Sequence, residues 1–202
     1  MSAPRFDVLS LFPIPLYVGL VEESMVQAAR AFAATLAYEP NVGNTNTTNH
    51  YVLDEPALAP LRAAVQEHMK IYQERILASR NELYLTQSWA NITRTGESHH
   101  PHYHFNSVAS GVVYLTHGGE LPPIVFKSDR KTQIMPALSE NNVFNMDTFS
   151  FKPKGPMLVM FPSFIDHHVP SNPSGEERIS IAFNTFLRGD LGSERQLSRL
   201  LL

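Results

Sequence analysis

Apolar and polar positions divide this chain into a first part with helical periodicity and a second part with strand-like runs. Apolar residues recur at spacings of three and four between Glu22 and Ala37 and between Pro56 and Ser79, which predicts two amphipathic helices. From Leu83 onward, short apolar runs alternate with Gly, Pro, Asn and Asp residues and indicate strands. The predicted strands are Leu83–Arg94, Val108–Leu115, Ile124–Phe126, Phe149–Phe151, Met157–Phe161 and Ile179–Leu187.

Four further segments receive weaker predictions. Residues 8–20 are predicted to be extended, because the two prolines within them are incompatible with a helix. The polar stretch Asn41–Asn49 has no periodicity and predicts a loop. Ser128–Asn145 is long for a hairpin connection, so we expect it to form a lid over a site. The leucines of Ser193–Leu202 predict a short terminal helix.

Short strands that follow two helices are typical of a mainly β fold. We expect an antiparallel sandwich or barrel, with the two N-terminal helices packed outside one sheet. The 202 residues fit a single domain. Its helical part would span about 21–80 and its β core about 83–188.

Composition and charge narrow the classes of function. Hydrophobic residues make up 43% of the chain and charged residues 17%, so a packed core can form. The formal net charge of -3 provides no basic face, so we expect neither nucleic acid nor a membrane as a partner. The absence of cysteine excludes disulfides, thiolate metal ligands and a cysteine nucleophile. We expect a cytoplasmic protein.

Histidines are concentrated in His99–His104, which holds four of them directly ahead of a predicted strand. Side chains alternate along an extended segment, so His102 and His104 point to the same side. His167 follows a distant strand and could complete one face of a metal ion, for which imidazole is a common ligand. His99 and His100 are expected to be loop residues.

The last predicted strand carries a second polar group. Arg178, Ser180 and Asn184 fall on one face of this strand, opposite the apolar residues Ile179 and Ile181. An inward-facing guanidinium needs an anionic partner, because an unpaired buried charge is costly. A bound carboxylate is the natural candidate, since the planar fork of arginine matches its two oxygens.

These motifs, taken in order, resemble those of a known superfamily. The H-x-H pair, the distal histidine and the R-x-S run resemble Fe(II)/2-oxoglutarate-dependent dioxygenases, and the resemblance is closest to an uncharacterised branch of them. It covers most of the chain and includes these further motifs: Leu11-Phe12-Pro13-Ile14-Pro15, Trp89-x-Asn91, Gly96, Ser110-Gly111-x-x-Tyr114-Leu115 and Phe161-Pro162-Ser163. It implies a double-stranded β-helix of the jelly-roll or cupin-like type.

The resemblance also implies roles for individual residues. His102 and His167 would bind Fe(II), while Arg178 would bind the distal carboxylate of the co-substrate 2-oxoglutarate with help from Ser180. No catalytic residue is implied beyond the metal ligands. The further polar groups expected in this cofactor pocket are Asn91, Tyr114 and Asn184.

His104 stands where most of the superfamily has a carboxylate. Three interpretations are open: a three-histidine site that includes His104, a triad completed by Glu97 or Asp166, or a catalytically impaired site. We favour the first, because alternation places His104 beside His102 and no nearby acid reliably shares that face.

Two other classes of function fit parts of the same pattern. Gly96 and the H-x-H pair partly match the first cupin motif, which would give a three-histidine metalloenzyme that does not use 2-oxoglutarate. A non-catalytic barrel that holds a metal and a small ligand is the other alternative. The expected substrate is an unidentified small molecule or peptide, and a homodimer is an assembly that the chain could form.

Overall fold

The computed structural model describes residues 4–129, 134 and 136–202. Its helices are α1 (Glu23–Ala33) and α2 (Ala59–Tyr72), with short 3₁₀ turns before α2 and a π turn, Gln73–Leu77, after it. Its strands are β1 (Tyr17–Leu20), β2 (Tyr38–Pro40), β3 (Thr45–Thr47), β4 (Glu82–Thr93), β5 (His99–His102), β6 (Ala109–Tyr114), β7 (Ile124–Lys127), β8 (Thr148–Phe151), β9 (Met157–Pro162), β10 (His167–Val169), β11 (Arg178–Arg188), β12 (Asp190–Leu191) and β13 (Leu200–Leu201).

Two antiparallel sheets form the β core. The large sheet has the order β1-β9-β6-β11-β4-β3-β2, and the small sheet has the order β5-β10-β7-β8. Strands that are distant in the chain therefore lie side by side, as when β10 pairs with β5 on one edge and with β7 on the other. The predicted mainly β, antiparallel fold is confirmed, and it takes the form of two sheets.

One face of the large sheet packs against the helices. Both helices bury one apolar stripe, which includes Val26 and Ala29 of α1 and Val65 and Met69 of α2. These side chains form one core with alternate residues of the large sheet, such as Ile181 of β11. A smaller apolar cluster lies between the two sheets. The two helices are therefore outside one sheet, as predicted, because each has an apolar stripe to bury.

Strand alternation divides β11 as the sequence predicts. Ile179, Ile181 and Phe183 belong to the core beneath the helices. Arg178, Ser180 and Ala182 line a cavity on the opposite face, between the sheets. Asn184, the next residue in this alternation, is also buried. This division places the polar residues of one strand in the interior of the molecule.

Two local predictions are wrong. The tail Ser193–Leu202 is not a helix, because residues 189 and 192 are glycines with φ of 108° and 70° that turn the chain, and β13 then pairs with β12. The stretch Asn41–Asn49 is not all loop, because β3 lies in the large sheet, paired with β4 on one side and β2 on the other. A strand this short and polar is stabilised by pairing and carries no hydrophobic pattern.

The predicted lid, Ser128–Asn145, falls partly outside the described residues, which omit 130–133 and 135. Residues 136–147 form no helix or strand. Among the described residues, no helix is long and apolar enough to cross a membrane.

Candidate metal centre

The pairing of β5 with β10 brings His102 and His167 together. The two residues are direct partners in the ladder, while Val169 is paired with His99, so two residues of β5, His100 and Pro101, lie opposite the single residue His168 of β10. This is a β-bulge, and it coincides with Pro101, which has no N–H to donate to the ladder. Beyond the strand, the backbone N–H of His104 donates to the carbonyl oxygen of Ser163 at 3.0 Å.

His102, His104 and His167 form a compact group. One ring nitrogen from each lies within 4.8 Å of the corresponding nitrogen of the other two. The ring centroids are separated by 5.0 Å for His102 and His104, 4.4 Å for His102 and His167, and 5.2 Å for His104 and His167. Three imidazoles at this spacing could hold a first-row metal ion from one side.

Backbone carbonyls fix the tautomer of two of these rings. Nδ1 of His102 lies 2.8 Å from the carbonyl oxygen of His100, and Nδ1 of His167 lies 2.9 Å from that of Ile165. A carbonyl only accepts, so both Nδ1 atoms carry the proton and each Nε2 keeps a lone pair. This arrangement of donors is typical of histidines that bind metals through Nε2.

Burial keeps the three imidazoles neutral at pH 7. Loss of solvation, together with the neighbouring His102, lowers the pKa of His104 to about 4 and that of His167 to about 3. Burial also lowers the pKa of His102. Neutral imidazoles are the form that binds a metal cation, so no proton has to be displaced at this pH.

Neither of the acids considered as an alternative ligand joins this group. The carboxylate of Glu97 accepts the backbone N–H of Arg94 at 2.7 Å, and the side chain of Asp166 is exposed. Among the described residues, both groups of three potential metal ligands consist of histidines alone. A site built here would have no carboxylate ligand from the protein.

Arg178 lies in the same cavity and is almost entirely buried, with 4% of its surface exposed. Its Nε donates to the carbonyl oxygen of Pro122 at 3.3 Å, and its Nη1 donates to Ser180 Oγ at 3.4 Å. No carboxylate lies within 4.0 Å of it in the described part of the chain. A buried guanidinium without an anion is an unfavourable arrangement that a bound carboxylate would relieve.

Three polar residues of the predicted pocket lie in one row beside Arg178. Ser180 is paired with Asn91 of β4 on one side and with Tyr114 of β6 on the other. Asn91 Oδ1 and the Tyr114 hydroxyl are buried without a hydrogen-bond partner of good geometry among the described residues. Burial raises the pKa of Tyr114 to about 12, so its phenol remains a donor. The Tyr114 hydroxyl can donate to an anion bound by Arg178, whereas Asn91 Oδ1 only accepts and would need a donor.

Asn184 lies at the other end of the cavity from this row. It is paired with Ser110 of β6, and its side-chain amide lies 3.4 Å from Nδ1 of His104. Four residues of extended chain separate Ser180 from Asn184, which is about 13 Å. The structure therefore places Asn184 beside the histidines and away from the arginine.

His99 is part of this cavity, although the sequence predicted a loop residue. It belongs to β5, and its ring stacks on that of His102 at 4.5 Å with 28° between the planes. The bulge at Pro101 turns His99 to the same face as His102, a change that strict alternation does not predict. Proline within a strand-like run is the signal that could have indicated it.

His99, His100 and His102 form the second group of close histidines. The rings of His99 and His102 are stacked, with 28° between their planes. His102 belongs to both groups of histidines, so one nitrogen of His102 could not bind a metal ion in both groups at the same time.

The sequence from residue 87 to residue 184 matches a family described as "Putative 2OG-Fe(II) oxygenase". The matched region contains every residue that lines the cavity, from Trp89 to Phe183, and also Asn184. Among curated protein sequences, none is significantly similar to this chain.

Solved structures of low sequence identity share the fold. A prolyl-4-hydroxylase from Pseudomonas putida matches with a TM-score of 0.62, covering 87% of this chain and 94% of its own at 16% identity. HygX from Streptomyces hygroscopicus, solved with nickel, 2-oxoglutarate and hygromycin B, matches with a TM-score of 0.61, 85% and 82% coverage and 12% identity. The alpha-ketoglutarate-dependent epimerase SnoN from nogalamycin biosynthesis matches with a TM-score of 0.64, 86% and 78% coverage and 13% identity. These similarities confirm the predicted double-stranded β-helix.

Proposed function

We propose that this chain hydroxylates a substrate with Fe(II) and 2-oxoglutarate. The premise is that residues 87–184 make it a member of the family described as "Putative 2OG-Fe(II) oxygenase". Membership of the family makes the chain an oxygenase of the iron- and 2-oxoglutarate-dependent kind. The ligand set, the contacts with the co-substrate and the hydroxylation of the substrate are proposed from the cavity.

One observation carries the proposal: three converging imidazoles share a cavity with a buried arginine that has no acidic partner among the described residues. A metal-binding face alone would fit many enzymes. A buried unpaired guanidinium in the same cavity adds a requirement for an anion. A dicarboxylate can satisfy both, with one end at the metal and the other at Arg178.

The residues present fit Fe(II). His102, His104 and His167 would hold it, since neutral imidazoles are ligands of this metal and three of them on one side leave positions open on the other. Bound Fe(II) would supply the activation of oxygen, coupled to decarboxylation of 2-oxoglutarate to succinate and transfer of one oxygen atom to a substrate C–H bond. The chain would contribute the orientation of the reactants and a cavity that excludes water.

The residues present also fit 2-oxoglutarate. The guanidinium of Arg178 would donate two parallel hydrogen bonds to the distal carboxylate. Ser180 and Tyr114 would donate further hydrogen bonds to it, and the unpaired hydroxyl of Tyr114 supports this role. The cavity measures about 30 Å³, which is room for a water molecule or two. Lining side chains must therefore move apart when the co-substrate binds.

A larger apolar cavity supports a substrate site next to the metal. It measures about 470 Å³ and lies between the segment Ser10–Leu16 and residues from Val143 to Phe149. Phe161 lines both cavities, and its ring lies 4.8 Å from that of His167. This volume suits a drug-sized ligand or an apolar peptide side chain. We therefore propose a small-molecule or peptide substrate with an apolar group.

Calorimetric titration followed by an activity assay tests this function. Ni(II), which does not react with oxygen here, should bind with one equivalent, and 2-oxoglutarate should bind only after the metal. The Fe(II) protein should then form succinate from 2-oxoglutarate in the presence of oxygen.

A second candidate is favoured by one specific observation, the absence of a carboxylate from the three-histidine group. A cupin-like metalloenzyme could use the same three ligands without 2-oxoglutarate. Metal binding without any binding of 2-oxoglutarate would favour this candidate and exclude the first.

A further inference from the structure

A chain of hydroxyl groups, with Ser110 and Ser163 buried and Ser107 half-buried, leads from the end of β9 to His104. Ser163 Oγ donates to Ser107 Oγ at 2.7 Å, and Ser110 Oγ lies 2.8 Å from Ser163 Oγ. Ser110 Oγ also lies 2.7 Å from Oδ1 of Asn184, whose amide reaches Nδ1 of His104. Ser110 is 2% exposed and Ser163 0% exposed, so water does not act as a further hydrogen-bond partner of either hydroxyl.

Counting hydrogens along this chain determines which way the amide of Asn184 points. The hydrogen of Ser107 goes to the carbonyl oxygens of Ala109 and Thr185, at 3.2 and 3.1 Å. The hydrogen of Ser163 goes to Ser107. The hydrogen bond between Ser163 and Ser110 must then use the one hydrogen of Ser110.

No hydroxyl hydrogen remains for the contact between Ser110 and Asn184. Asn184 must therefore be the donor at that contact, and its amide nitrogen must face Ser110. The oxygen and nitrogen of an amide have the same shape, and hydrogen bonding alone assigns them. The assigned orientation is the reverse of the one in which Oδ1 faces Ser110, and it turns Oδ1 towards His104.

The two orientations of Asn184 have opposite consequences for His104. An amide nitrogen facing Nδ1 would donate to it and leave the proton of the neutral ring on Nε2, the atom that faces a metal. An amide oxygen facing Nδ1 accepts from it and leaves Nε2 free.

We propose that Ser107, Ser163 and Ser110, acting through Asn184, hold His104 as the Nδ1–H tautomer and so present its Nε2 lone pair to the metal. Asn184 is a positioning residue in this arrangement and does not contact the co-substrate. This inference rests on the proposed role of His104 as a ligand. It gives His104 the same tautomer that backbone carbonyls impose on His102 and His167, by side chains instead of the main chain.

Substitutions at the far end of the chain should reverse the tautomer. In Ser163→Ala, the hydrogen of Ser110 has no acceptor other than Asn184, so the amide turns its oxygen to Ser110 and its nitrogen to His104. In Ser107→Ala, Ser163 donates to Ser110 and Ser110 donates to Asn184, with the same result. Neither variant removes an atom that contacts His104, because the N–H of His104 is held by the main-chain oxygen of Ser163.

Long-range ¹H–¹⁵N correlation spectra of the metal-free protein, labelled at histidine, report the tautomer of each ring directly. We expect Nδ1–H at His104 in the native protein and Nε2–H in Ser163→Ala and Ser107→Ala. His102 and His167 are internal controls, since their carbonyl partners cannot rotate. The matched control is Ser88→Ala, which removes a buried serine that accepts the Leu53 N–H at 2.9 Å and lies outside this chain of hydroxyls.

A conservative variant separates this role from a merely structural one. In Asn184→Asp, the side chain has two acceptors and no donor, so it holds Nδ1–H at His104 whatever the serines do. The double variant Ser163→Ala/Asn184→Asp should therefore recover the native tautomer that Ser163→Ala loses. Zn(II) affinity should fall about 10- to 100-fold in Ser163→Ala, as for other residues that orient a ligand, and recover in the double variant.

Nε2–H at His104 in the native protein, or an unchanged tautomer in both serine variants, would overturn the inference. Failure of the proposed function is distinguishable from this. A native protein with the Nδ1–H tautomer that binds no Zn(II), Ni(II) or Fe(II) would contradict the metal site and leave the tautomer assignment supported.

Discussion

His104 gives this site an unusual charge for the superfamily that its motifs resemble. Three neutral imidazoles leave the charge of a divalent metal uncompensated, and Arg178 adds one further positive charge in the same cavity. A dianionic co-substrate is attracted by both. The usual carboxylate ligand would cancel part of that attraction, so the histidine should strengthen binding of the anion.

The first prediction concerns His104→Asp. We expect this variant to keep its metal, because it restores the H-x-D pattern of the superfamily, and to bind 2-oxoglutarate more weakly, because the cavity loses net positive charge. His104→Ala should weaken Ni(II) binding by at least roughly tenfold, or about 1.4 kcal/mol. Calorimetry of the metal and then of 2-oxoglutarate measures both effects. Equal metal affinity in His104→Ala and the native protein would exclude His104 as a ligand.

The second prediction concerns Arg178→Gln. Removing one member of a buried charged pair costs roughly 2–5 kcal/mol, so 2-oxoglutarate affinity should fall by at least about 30-fold. Metal affinity should stay the same, since Arg178 does not belong to the histidine group. Arg188→Gln is the matched control, because Arg188 lies on the same strand but is exposed and stacks on Tyr84. Unchanged affinity in Arg178→Gln would remove the proposed co-substrate contact.

Strand β11 sets the distance between the two ends of the cavity. It carries Arg178 and Ser180 at one end and Asn184 at the other. Ala182 lies between them on the same face and also lines the cavity. A small side chain at this position takes up little of the space between Arg178 and the three histidines.

The third prediction follows from that position. Ala182→Leu should fill the cavity and abolish measurable 2-oxoglutarate binding while leaving Ni(II) binding intact. Some loss of stability is expected as well, about 1–3 kcal/mol for an overpacked interior. Ala182→Gly keeps the space open and should bind 2-oxoglutarate as the native protein does. Calorimetry on both variants decides the matter, and normal binding by Ala182→Leu would place the co-substrate elsewhere.

Features of a single strand could be predicted from the sequence, whereas features that depend on the pairing of two strands could not. Alternation places Arg178 and Ser180 on one face of β11 without any knowledge of the fold. The position of His99 depends on a bulge against β10, so the prediction of a loop residue was wrong. The polar strand β3 and the hairpin of β12 with β13 depend on pairing partners and have no hydrophobic signature.

More of the candidate site than of the local details of the fold could be predicted from the sequence, for a physical reason. Metal ligands and an anion-binding arginine are chemically distinctive residue types, and their order along the chain is visible before their arrangement is known. The role of Asn184 was not visible, because it depends on three serines from separate segments and on the count of their hydrogens.

The buried histidines make the stability of the whole molecule depend on pH. Burial lowers the pKa of His99 to about 2, of His167 to about 3 and of His104 to about 4, against about 6.5 in an unfolded chain. Between pH 6.5 and 4 the unfolded chain therefore binds more protons than the folded protein. Stability rises with pH wherever this holds, so the stabilisation is complete above pH 6.5 and is lost as the pH falls towards 4.

The fourth prediction is that the metal-free protein loses unfolding free energy on acidification from pH 7 to pH 4.5. Each of these histidines can contribute up to about 1.4 kcal/mol per pH unit in that range. Urea denaturation at half-unit pH intervals measures the slope, and His167→Gln should reduce it because one titrating group is removed. Ni(II) at pH 7 should raise the stability further, since it binds the folded site alone. A pH-independent unfolding free energy over this range would mean that the histidines are solvated, and the cavity would then be too open for the metal site proposed here.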